Sequence, residues 1–157
     1  MIVSNETLQQ FKVSEVELIY RSKIKATDRP RVSDSKTAYQ ILLQSWDENK
    51  IDLQEQFKIL LLNNANRCLG VAEIGTGGMT SCIADPKLIF ATALKGKASK
   101  LILAHNHPSG NLEPSRADLE LTRKVVNAGR LLDIGVVDHL IVTGQGYKSF
   151  ADDGLMP

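Results

Sequence analysis

Cysteine is scarce in this chain. Its two residues, Cys68 and Cys82, form no Cys-x-x-Cys pair, which excludes a disulfide framework and suits a reducing compartment. An excess of one charge is lacking too: 19 Lys and Arg stand against 18 Asp and Glu, for a net charge of +1. So even a balance leaves no strong electrostatic footprint for nucleic acid, and only weak association is expected. No stretch approaches the roughly 18 consecutive apolar residues of a membrane span. Asn5, Glu6 and Gln9 stand where a signal peptide needs an apolar core, so no membrane partner is expected and the cytoplasm is the expected compartment. The run Gly75-Thr76-Gly77-Gly78 has neither Gly-x-Gly-x-x-Gly spacing nor a Gly-Lys-Ser/Thr ending. It reads as a flexible loop rather than a phosphate cradle. What is present is 157 residues, 43% hydrophobic and 24% charged, the size and composition of one domain with a proper core.

The chemistry concentrates after residue 100. Residues 101–104, Leu-Ile-Leu-Ala, make a short apolar run of the kind found in buried strands, followed by His105-Asn106-His107-Pro108. A strand places residues i and i+2 on one face, so His105 and His107 point the same way, and Pro108 ends the ladder. The loop after it turns into a helix starting at Ser115, which puts Asp118 in the first helical turn. Two imidazoles and one carboxylate form a three-ligand set for a borderline cation such as zinc, with a fourth position left for water. Ser115-x-x-Asp118 is also a capping box, in which the acid reaches back to the cap amide. Ligand and cap are both open readings of Asp118.

His-x-His-Pro followed by Ser-x-x-Asp, with ten residues between His107 and Asp118, resembles the JAMM motif of the MPN-type metallopeptidases. The fuller string from Leu101 to Gly110 resembles the bacterial RadC branch of that family, and the likeness runs from about Asp34 to the C-terminus. The resemblance implies an α/β fold, a single mixed sheet flanked by helices, related in architecture to cytidine deaminases. It also implies a zinc-dependent hydrolase acting on a peptide or protein substrate, in which His105, His107 and Asp118 hold Zn2+, Ser115 polarises the scissile carbonyl and Glu55 is the general acid/base. Peptidases of proven type usually carry Ser or Thr between the two histidines; this chain has Asn106, as RadC proteins do. The helical DNA-binding-like module at the N-terminus of full-length RadC proteins is not expected in a chain of this length. A zinc nucleobase deaminase is disfavoured because its Pro-Cys-x-x-Cys signature is missing. The competing reading is a non-catalytic or DNA-associated accessory protein of the RadC type.

The rest of the chain reads as an arm and first strand over 1–33 and the domain proper over 34–157. Residues 15–24 alternate, with Val16, Leu18 and Tyr20 against Glu17, Arg21 and Lys23, and predict a strand with a basic face of Arg21, Lys23 and Lys25. A helix opens at Ser33 or Asp34 and buries Ala38, Ile41, Leu42 and Trp46. Glu55 precedes a buried central strand over 57–62, and an Asn-rich turn leads to an antiparallel partner over 68–74. Beyond the glycines, Ser81 and Cys82 fall in an extended segment. Pro86 starts a helix reaching about Lys95, with Ile89, Ala93 and Leu94 inward. The helix from Ser115 buries Leu119, Leu121, Val125 and Val126 and ends at Gly129. A last strand over 134–142 carries His139, read as a structural or ligand-orienting histidine, and a turn leads into 147–150. Oligomeric state is left open.

Overall fold

Strand β1, Gln56–Leu62, is buried at every position, which requires covering layers on both sides of it. The computed structural model, which describes residues 11–78 and 84–157, supplies them. On one side β1 pairs antiparallel with β2, Cys68–Thr76, and on the other with β3, Lys100–Asn106. β3 runs parallel to β4, Gly135–Val142, and β4 antiparallel to β5, Tyr147–Ser149, giving one mixed sheet in the order β2-β1-β3-β4-β5. Parallel neighbours need a long crossover. Helix α3, Arg116–Leu131, makes it.

Alternation along the strands sorts the core into two halves. Phe57, Ile59, Leu101 and Leu103 meet Ile89, Phe90 and Ala93 of α2, Pro86–Lys95, together with Val125 and Val126 of α3. Leu60, Leu62, Ile102, Ala104, Leu140 and Val142 meet Ala38 and Leu42 of the opposite helix α1, Ser35–Ser45, and Trp46 at its C-terminal cap. Asp34 caps α1 by accepting from the Thr37 amide at 2.7 Å. At the other end of α1 the buried Lys58 ammonium donates to the Ser45 carbonyl at 2.5 Å and lies over the Trp46 ring, which reconciles a lysine with a central strand. No helix of the described residues is long and apolar enough to cross a membrane.

Four expectations are corrected. Residues 15–24 belong to no strand of the sheet: they carry no regular secondary structure, and among the described residues the fold offers them no strand to pair with. Helix α3 continues to Leu131, so Gly129 is no terminator; a Cβ there would lie 2.3 Å from the Ile134 carbonyl oxygen, and the glycine admits the chain as it returns to β4. Leu94 and Leu119 are exposed, and Phe90 and Thr122 take inward positions instead. The glycine run is not all loop, since β2 extends to Thr76 and Gly77 and Gly78 carry on its hydrogen bonding. Ser81, Cys82 and the first ten residues of the arm lie outside the described residues.

Candidate metal centre

β3 delivers His105 at its buried end, and the chain continues through His107, whose amide donates to the Val142 carbonyl at 3.3 Å. The two imidazoles share a face as their spacing demands, and their Nε2 atoms stand 2.9 Å apart. Asp118 approaches from the first turn of α3, with Oδ1 at 3.3 Å from His105 Nε2 and Oδ2 at 3.6 Å from His107 Nε2. It caps the helix as well: its Oδ2 accepts from the Ser115 amide at 2.8 Å, and the Ser115 hydroxyl oxygen accepts from the Asp118 amide at 3.1 Å. Cap and imidazole partner are therefore compatible roles for one carboxylate. Burial works against the Asp118 carboxylate, but the facing imidazoles of His105 and His107, in their protonated forms, and the Ser115 amide outweigh it and hold the group far below the ordinary range. His107 is shifted upward by its Asp118 hydrogen bond against the opposing effect of burial.

The tautomers follow from hydrogen-bond bookkeeping. A carbonyl only accepts, so the Thr122 hydroxyl donates its single proton to the Asp118 carbonyl at 2.6 Å. Towards His139 Nδ1, 2.7 Å away, that hydroxyl must accept. His139 Nε2 is then an acceptor and receives the proton of His105 Nδ1 at 2.8 Å. Full burial keeps His139 neutral, with its titration well below the ordinary value. On the other imidazole, His107 Nδ1 donates to the Asn111 carbonyl at 2.6 Å. Both imidazoles thus turn an Nε2 lone pair toward the same space, beside a carboxylate. Such a cluster calls for a cation or a proton at its centre, and the donor set suits zinc.

Glu55 stands immediately before β1, and one of its oxygens lies within 4.8 Å of ligand nitrogens of both His105 and His107. Its backbone is gripped from two sides. Gly77 donates to the Glu55 carbonyl at 2.8 Å and the Glu55 amide to Gly78 at 3.1 Å. On the other side β3 has ended its pairing with β1 at His105, and the fully buried Asn106 side chain takes the place of the missing rung. Its Oδ1 accepts from the Gln56 amide at 2.7 Å, while Nδ2 donates to the Ile51 and Gln54 carbonyls at 2.7 and 2.9 Å. All three bonds close around Glu55. Burial raises the Glu55 carboxyl above its ordinary value, with His105 and His107 moderating the shift. Asn106→Leu would leave two carbonyls and an amide without partners; at about 1–3 kcal/mol for each buried group, a loss of at least about 3 kcal/mol in unfolding free energy is expected from urea denaturation.

The structure therefore brings together Glu55, His105, His107 and Asp118, with Ser115 at the exposed rim, all singled out in the sequence. Thr122 and Asn111 were missed. Thr122 had one signal: it lies four residues after Asp118 and hence on the same face of the helix.

A family model described as RadC-like JAB domain matches residues 32–155. Among curated relatives, the chain is 41% identical over 125 residues to a UPF0758 protein of Flavobacterium johnsoniae, covering 80% of this chain and 53% of that one. It is 46% identical over 102 residues to a UPF0758 protein of Symbiobacterium thermophilum, covering 65% and 44%. With a UPF0758 protein of Porphyromonas gingivalis it shares 38% over 138 residues, covering 85% and 60%. The chain spans about half the length of the curated relatives it matches.

Proposed function

The chain belongs to the RadC-like JAB domain family, and on that footing we propose that it is a zinc-dependent hydrolase cleaving peptide or isopeptide bonds. The observation that carries the reading is the convergence of two Nε2 lone pairs with the Asp118 carboxylate and, close by, a half-buried glutamate. His105, His107 and Asp118 are the residues to hold the metal. When bound, zinc lowers the pKa of a coordinated water and polarises a carbonyl.

The remaining work falls to side chains. Glu55 accepts a proton from the attacking water and returns it to the leaving amine, a role its raised titration suits. The Ser115 hydroxyl oxygen is engaged as an acceptor in the cap, which leaves its proton to donate to the oxyanion that develops on the scissile carbonyl, reinforced by the positive end of α3. Asn106 and the Gly77–Gly78 backbone keep Glu55 in register with the imidazoles.

A library of peptide and isopeptide substrates, presented to the zinc-loaded chain, tests the proposal. Cleavage is expected, to be lost on dialysis against a chelator and restored by about one equivalent of zinc per chain. Zinc bound at that stoichiometry without hydrolysis of any library member would favour the non-catalytic accessory reading.

A further inference from the structure

The segment ahead of the domain has the pattern of a strand and, among the described residues, no strand to join. Val16 is 91% and Leu18 80% exposed, and Ile19 and Tyr20 keep 48% and 38% of their surface in solvent. Among the described residues, 13–21 make no backbone hydrogen bond. Unpaired amides and carbonyls beside alternating apolar side chains are a template for another strand. The middle of the segment borders the domain across an open pocket, which Ile19, Tyr20 and Arg21 line together with Leu61 and the Thr92, Lys95 and Gly96 end of α2. Exposed Leu88 and Leu94 lie on that same helix.

The charges say what pairs with it. Acids precede the middle at Glu15 and Glu17, and bases follow it at Arg21 and Lys23, all exposed. We propose that this segment is a dimerisation strand that pairs antiparallel with the same segment of a second copy, the two-fold axis passing through Ile19. In that register Glu17 faces Arg21 of the other copy and Glu15 faces its Lys23, while on the opposite face Leu18 meets Tyr20 and Val16 meets Ser22. Every cross-strand ion pair then occurs twice, as an isologous contact requires. Parallel pairing would set acid against acid and base against base. The open edge of β2 is a poorer partner, because Glu73 is its only charged residue and residues 30–32 already cover its beginning through the bonds of Val32 to Asn66 and Cys68 to Pro30.

A charge swap read by light scattering and sedimentation of the full chain decides the matter. At about 100 µM, above the micromolar dissociation constants of modest interfaces, the native chain is expected at twice its 17.3 kDa mass. Glu17→Arg places arginine against Arg21 at both symmetry-related positions, so about tenfold weaker association is expected. Glu17→Arg combined with Arg21→Glu restores the pairs in reverse and should restore the dimer. A native chain that is monomeric, a dimer indifferent to Glu17→Arg, or a swap that fails to rescue would each overturn the proposal. Capture of duplex DNA by the monomer, weakened by loss of Arg21 and Lys23, would instead assign the segment to nucleic acid.

Discussion

Asp118→Asn is expected to release the metal while leaving helix α3 capped. The asparagine oxygen can still accept from the Ser115 amide, and its backbone amide can still donate to the Ser115 hydroxyl oxygen, so the capping box survives in form. What disappears is the negative charge facing His105 and His107. Residues that merely orient a ligand change metal affinity about 10–100-fold when lost, so loss of a direct ligand is expected to weaken binding more than that, to about 1000-fold in all. Asp118→Ala removes cap and ligand together and should add roughly 1 kcal/mol of destabilisation to the same metal loss. Elemental analysis and chelator competition on both variants separate the roles. Zinc held by Asp118→Asn as tightly as by the native chain would make Asp118 a cap alone.

The pH dependence of binding has a definite sign. His107 must shed its proton to ligate, and its hydrogen bond to Asp118 raises that proton's affinity in the metal-free protein despite the burial that opposes it. Native zinc affinity should therefore fall as pH drops through the raised His107 value. In Asp118→Asn the supporting carboxylate is gone, so the whole, weaker binding curve is expected to reach its pH-independent plateau at lower pH.

How much of this was legible in the residues depends on how far apart the partners lie. His105 and His107 are two apart on a strand and Ser115 and Asp118 three apart at a helix start, so local periodicity placed them, and the resemblance added Glu55. The clamp on Glu55 was invisible by the same criterion: Asn106 and Gln56 are separated by 50 residues, and only the antiparallel register of β1 and β3 puts one beside the other. The relay from His105 to His139 and Thr122 spans 34 and 17 residues and depends on the parallel crossover through α3. Residues 15–24 failed differently. Alternation gave the segment a strand's pattern, but a strand needs a neighbour, and whether the chain supplies one is a property of the whole topology. Gly129 reads locally as a helix end because glycine favours that place; the Ile134 carbonyl that fixes its identity arrives only with tertiary packing.

Glu55→Gln keeps the size of the side chain and both backbone grips on it, from Gly77 and Gly78 and from Asn106. It removes only the capacity to take a proton. If Glu55 serves as the base, turnover of a cleaved library substrate should drop about 10²–10⁴-fold, the usual range for one general acid/base group, with zinc content and unfolding midpoint unchanged. Should zinc leave together with activity, Glu55 is a ligand, a role its closeness to both imidazoles makes the direct competitor. The native pH profile offers an independent check. Burial disfavours the Glu55 carboxylate, and the nearby imidazoles ease that penalty without cancelling it. The carboxyl is therefore still protonated at pH values where an ordinary glutamate is already ionised, and the base becomes available only above them. The acid limb of kcat/KM should accordingly rise at a pH above the ordinary glutamate range. In Asn106→Ser, whose hydroxyl can supply neither the two donors nor the reach of the amide, Glu55 loses its grip from the β3 side. That variant should lower kcat while leaving His105, His107 and Asp118 loaded with zinc, which separates the positioning of the base from the holding of the metal.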